Sequence, residues 1–127
     1  MKTILVDAVN TFVIQNSGIF HAMQDMLDAY PNKKIILTNA NDAQMDEFGL
    51  RNLPYELFTQ KHEPEKTDPS YFKTLLTEFN LDKDDVVYFE HNEEAVKSAT
   101  SVGISAYHYD KEKRDLEALK SFLDKNL

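Results

Sequence analysis

The sequence has no cysteine and little proline or glycine, with four and three residues respectively. Without cysteine there is no disulfide framework and no thiolate metal site, and a reducing, cytoplasmic compartment is the expectation. Long apolar runs are missing too. None approaches the ~20 residues that cross a bilayer, and Met1-Lys2 leads directly into a short strand instead of a signal peptide, so no membrane partner is expected. Basic charge is in short supply: 14 Lys and Arg face 22 Asp and Glu, a net charge of −8. Residues 1–40 balance at three against three, so residues 41–127 carry the whole excess, 19 acids against 11 bases. A surface of that sign repels phosphate backbones, which argues against nucleic acid as a partner while leaving room for a local basic pocket.

What is present is an ordinary globular composition, 42% hydrophobic and 28% charged, in 127 residues that read as one domain, 1–127. Thr3 to Val6 is β-branched and apolar, the signature of a strand buried on both faces, and it runs into a carboxylate, Asp7. Phe12 to Gly18 reads as irregular. Ile19, Met23, Met26, Leu27 and Tyr30 then recur at helical spacing before Pro31. Lys34 to Leu37 is a second short strand ending in Thr38-Asn39, and Asp42 is the expected cap of a short helix with Met45 and Phe48 inward. Tyr55 to Phe58 follows Pro54 as a third strand, and Thr59 to Thr67 reads as a polar loop. Asp68-Pro69 opens a helix with the stripe Phe72, Leu75, Leu76 and Phe79. Val86 to Phe89 is a fourth strand into Glu90-His91-Asn92, where Asn92 caps a helix that Gly103 closes. Ile104 to Tyr109 is a fifth strand, and Asp110 to Lys125 a final amphipathic helix. His21, His62 and His108 have no partner that the sequence can name.

Five alternations of strand and helix predict an α/β domain, a five-stranded parallel sheet with helices on both faces in a three-layer, Rossmann-like arrangement. In such a sheet all C-terminal strand ends share one edge, where open α/β sheets bind their ligands. That edge gathers Asp7, Thr38, Glu90 and His91, with Lys66 just ahead of the third helix. A carboxylate, a hydroxyl and an ammonium converging there suit a tetrahedral anion, with Asp7 as nucleophile, Thr38 as hydrogen-bond donor and Lys66 as charge clamp. The alternatives are that Asp7 caps a turn and that Lys66 points into water beside Glu63 and Glu65.

With those residues in place, the sequence resembles the haloacid dehalogenase-like (HAD) hydrolase superfamily. Asp7-Ala8-Val9-Asn10-Thr11 resembles the family's D-x-D-G-T loop, and Leu37-Thr38-Asn39 its second motif. Lys66-Thr67-Asp68-Pro69 with Tyr71-Phe72 resembles its third, K-P-D-P-x-x-F, and Val86 to Asn92 with Ala99 and Gly103 its fourth. A receiver-type signalling domain of similar length wants an acidic pair after the first strand and an Asp after the third, and neither is here. The resemblance implies phosphoryl transfer through Asp7, Thr38 and Lys66, with Mg²⁺ held by Asp7, the Val9 carbonyl, Glu90 and the position of His91. Its substrate would be a phosphorylated small molecule or an exposed phosphoryl group on a larger one.

Two departures bear on the chemistry. The family's second loop Asp, its general acid/base, is Val9 here, and losing such a group typically forfeits ~10²–10⁴ in rate. His91 stands where the second acid of the metal site belongs, and imidazole suits transition metals better than Mg²⁺. Family branches that cleave carbon–halogen or carbon–phosphorus bonds also lack the second Asp, but they carry a cap domain. Thr11 to Gly18 and Thr59 to Glu65, where caps are inserted, are too short for one. Two readings follow: a cap-less hydrolase of weak or lost activity, in the limit a pseudoenzyme, or a non-catalytic module that binds a ligand or partner on the same scaffold.

Overall fold

A computed structural model describes residues 1–61 and 63–127; His62 lies outside the described residues. The central strand is β1 (Thr3–Asp7), buried along its whole length. It lies between β4 (Lys34–Thr38) and β6 (Val86–Glu90), and β5 (Glu56–Thr59) and β7 (Ser105–His108) form the edges. All four pairings in the order β5-β4-β1-β6-β7 are parallel. Asp7 pairs with Leu37 on one side, and Val6 pairs with Phe89 on the other. That register brings the ends of the three inner strands to one rim.

Alternation along the strands builds two cores. Ile4, Val6, Ile36, Val87 and Phe89 point to one face and pack with Met23 and Leu27 of α1 (His21–Asp28), Met45 of α2 (Asp42–Glu47), and Leu119 and Leu123 of α5 (Leu116–Asn126). Leu5, Ile35, Leu37 and Tyr88 point to the other face, against Tyr71, Phe72 and Leu75 of α3 (Ser70–Glu78) and Ala99 of α4 (Glu93–Ser101). Each side chain the size of Leu or Phe so buried contributes about 1.5–3 kcal/mol, which makes the sheet a rigid support for whatever stands on its rim. Among the described residues, no helix is long and apolar enough to cross a membrane.

Several expectations need correction. The stretch after Phe12 is not irregular: β2 (Val13–Ile14) and β3 (Gly18–Ile19) form a small antiparallel hairpin, and Ile19 belongs to it and not to the first helix. Asn41, not Asp42, caps α2, because its side chain accepts from the Gln44 N–H while the Gln44 side chain accepts from the Asn41 N–H. The last helix starts at Leu116, capped by Asp115, and not at Asp110. The Asp110 carboxyl instead accepts from the N–H groups of Glu112 and Lys113 and holds a turn that ends at Arg114, whose φ is 49°. A carboxyl that bonds its own backbone two and three residues on competes with helix initiation.

Candidate active site

Ala8 to Phe12 turn sharply off the end of β1. The Phe12 N–H donates to the Asp7 carbonyl and the Val13 N–H to that of Ala8, while Asn10 takes a left-handed φ of 70°. Asn tolerates that conformation where most residues do not. The turn folds Thr11 back so that its hydroxyl donates to Asp7 Oδ2 at 2.7 Å.

Around Asp7 the expected residues converge. Lys66 does not point into water: its Nζ donates to Asp7 Oδ1 at 2.6 Å and to Glu90 Oε1 at 2.9 Å, and its side chain is only 12% exposed. The His91 ring nitrogen Nδ1 lies 2.5 Å from Asp7 Oδ2 and 3.2 Å from Glu90 Oε2. Thr38 lines the same crevice of about 180 Å³, together with Val9, but has no direct hydrogen bond to Asp7. Its Oγ1 accepts from the Ala40 N–H at 3.1 Å, which leaves the hydroxyl proton for another acceptor.

These contacts set the charges. Burial alone would raise the Asp7 carboxyl, but the Lys66 ammonium and the His91 hydrogen bond outweigh it and hold Asp7 far below the usual carboxylate range. Lys66, which burial alone would lower, is raised above its ordinary value by Asp7 and Glu90. His91 is likewise opposed by burial, yet its hydrogen bonds to Asp7 and Glu90 push it up to about 9. At neutral pH, Asp7 is therefore an ionised carboxylate between two cations.

Further residues support this arrangement without having been singled out for it. Asn39 accepts from the Lys66 N–H at 2.8 Å and donates to the Pro64 carbonyl, which fixes the approach of the lysine. The Tyr71 hydroxyl donates to the Thr38 carbonyl at 2.7 Å, and the Tyr88 hydroxyl donates to Glu90 Oε1. Tyr88 was legible in principle, because residues two apart on a strand share a face. Thr11 and Asn39 lie inside the motifs quoted above, but their side-chain contacts depend on the turn geometry.

Asp7, Glu90 and His91 offer ligand atoms within 4.8 Å of one another. Mg²⁺ demands near-octahedral oxygen coordination, and this set replaces one oxygen by an imidazole nitrogen. The remaining carboxyl oxygens are already bonded to Lys66, Thr11, His91 and Tyr88. The donor set fits Mg²⁺ poorly, and imidazole shifts its preference toward transition metals.

No protein-family model matches the sequence, and no curated protein matches it. Solved structures do. The HAD family enzyme BT-2542 from Bacteroides thetaiotaomicron aligns at a TM-score of 0.77 and 11% identity, over 94% of this chain and 98% of its own. This chain has a cap-less HAD-like fold. The same enzyme in complex with magnesium and inorganic phosphate aligns at 0.70 and 13% identity, over 85% of this chain and 93% of that one. An uncharacterised protein from Corynebacterium glutamicum gives 0.62 and 12%, over 98% and 96%. At such identities the likeness is one of fold. Among the described residues, the segment after β1 forms the short hairpin of β2 and β3 and no larger cap.

Proposed function

We propose that this chain is a HAD-like phosphoryl hydrolase of reduced competence, acting through Asp7 on a phosphorylated small molecule or an exposed phosphoryl group. The observation that carries the reading is the ionised Asp7 at the tip of β1, with the Lys66 ammonium at 2.6 Å. That BT-2542, a protein of the same fold, forms a complex with magnesium and inorganic phosphate supports a phosphoryl ligand for this chain. In the first step an Asp7 oxygen attacks phosphorus, and the bond from phosphorus to the ester oxygen breaks with its electron pair on that oxygen. Lys66 and the Thr38 hydroxyl hold the phosphoryl oxygens, and the ammonium offsets their charge. No step is assigned to a metal ion.

Val9 cannot protonate the departing oxygen, so only groups stable as anions, such as aryl oxides, leave readily. Nor can it activate the water that must attack the aspartyl phosphate. Phosphorylation should therefore outrun hydrolysis. With an activated aryl phosphate, the expected result is a burst of phenolate close to the protein concentration, slow turnover after it, and a phosphoryl mass increment lost in Asp7→Asn. If no Asp7-dependent burst or turnover appears across a broad panel, the hydrolase reading fails.

A second reading, a non-catalytic binding module on the same scaffold, is favoured by Val9 and by the engagement of both Asp7 oxygens with protein partners. Robust turnover by the unmodified protein excludes it.

A further inference from the structure

Beside the crevice, on the other side of the Asn10–Thr11 turn, lies a larger cavity of about 420 Å³. Its polar lining is Asn10, Thr11, Tyr109, Lys111, Glu112 and Arg114. We propose that this cavity is a second site, separate from the Asp7 chemistry, which binds a small organic anion of the carboxylate or phosphate type.

Tyr109 carries the first part of the case. The residue is 1% exposed, and its hydroxyl is buried without a hydrogen-bond partner among the described residues. An unpartnered buried hydroxyl is costly, whereas most such groups find a partner in folded proteins. Tyr109 lines the cavity; its hydroxyl has no accessible surface of its own there, so a ligand gains this bond through a small shift of the ring toward it. Burial pushes the phenol up to about 12 although Arg114 acts to lower it, so the hydroxyl remains a donor and sits within the field of the guanidinium.

Charge is the second part. Lys111 and Arg114 outweigh Glu112, so the lining is net positive in a chain whose net charge is −8. Neither cation is held in an ion pair among the described residues. Arg114 is also held in place. Its backbone has a φ of 49°, its guanidinium lies 5.7 Å from the Phe20 ring centroid, and its Nε donates to the Lys111 carbonyl at 3.4 Å. A fixed guanidinium suits the two oxygens of a carboxylate or phosphate better than a mobile ammonium does. The volume falls in the range of small-molecule pockets, about 300–1,000 Å³.

The test is titration of the full chain with citrate, glycerol 3-phosphate and, as a neutral control, glycerol, followed by calorimetry and amide NMR. Citrate and glycerol 3-phosphate distinguish a carboxylate preference from a phosphate one. At least one anion should bind and shift the amides of residues 109–114 with those of Asn10 and Thr11, while glycerol does not. Lys111→Gln with Arg114→Gln, both on an exposed turn, should weaken binding about tenfold or more, or ~1.4 kcal/mol. Tyr109→Phe, which keeps the ring, should weaken it several-fold. Asp7→Asn should bind as the unmodified chain does, which separates this site from the hydrolase reading. The proposal is overturned if neither anion binds at roughly 10 mM, if the double variant binds equally well, or if the shifts centre on Thr38 and Lys66 instead.

Discussion

The crevice at Asp7 and the cavity at Tyr109 flank the turn after β1, with Val9 lining the first and Asn10 and Thr11 the second, yet they treat their polar groups in opposite ways. In the crevice both Asp7 oxygens are bonded, one to the Lys66 ammonium, which also reaches Glu90, and the other to the His91 ring and the Thr11 hydroxyl. In the cavity, among the described residues, a buried hydroxyl has no hydrogen-bond partner and two cations are in no ion pair. A saturated cluster is rigid and preorganised, but any ligand must displace a bond to enter. An unsaturated one gains a bond on binding. The crevice is therefore coupled tightly to stability, and the cavity mainly to ligand affinity.

The largest effect should come from restoring proton transfer in the crevice. Val9→Asp combined with His91→Asp places a general acid/base on the turn and an oxygen ligand at the rim. Turnover of aryl phosphates with Mg²⁺ should then rise ~10²–10⁴-fold over the unmodified chain. A steady-state rate unchanged within threefold would mean that the framework around Asp7 is not competent. Next comes removal of the shared cation. Lys66→Met leaves Asp7 and Glu90 short of their ammonium at 12% exposure. Breaking a buried pair from one side costs about 3–5 kcal/mol, so the melting temperature should fall on the order of 10–20 °C. Asp7→Asn added to Lys66→Met should recover part of that loss. If Lys66→Met melts as the parent does, the crevice is not saturated and the contrast with the cavity disappears.

A smaller effect follows from pH. His91 is raised to about 9 in the folded chain, against ~6.5 unfolded. Its pairing with Asp7 and Glu90 therefore contributes fully below pH ~6.5 and is lost as pH rises through about 9. Melting temperatures should decline by a few degrees across that window, and His91→Gln should flatten the decline. A parent and a variant with parallel profiles would show that the His91 charge does not stabilise the crevice.

Much of the crevice was legible because it depends on strand order alone. Asp7, Thr38, Glu90 and His91 each end or follow an inner strand, and parallel pairing necessarily brings those ends together. Lys66 was readable as a cation ahead of a helix, although its inward direction depends on Asn39 fixing its backbone. The cavity was not legible. The sequence from Asp110 onward has helical periodicity in Leu116, Leu119 and Leu123, and nothing in that pattern shows that Asp110 folds its own backbone into a turn. The hairpin of β2 and β3 was missed for a related reason: with two residues in each strand, it has no period to detect. An unpartnered hydroxyl is a consequence of packing and has no signature in residue order at all.

The smallest effect discriminates most between the two regions, because its sign differs. Tyr109→Phe removes a hydroxyl that loses its water on folding and gains no bond in return. Relief of that penalty, nominally 1–3 kcal/mol, is partly offset by the contacts the oxygen atom gives up, so the net change should be a stabilisation of up to ~1 kcal/mol. The ring itself keeps its edge contact with Phe89. Chemical denaturation should therefore give a midpoint at or above that of the parent, while anion binding weakens. In the crevice, truncating Asp7, Lys66, Glu90 or His91 cannot do this, since each of these groups is bonded to another and its loss costs stability. A Tyr109→Phe variant destabilised by more than about 1 kcal/mol would mean that the hydroxyl already has a partner in the folded protein, and the cavity would then be as saturated as the crevice beside it.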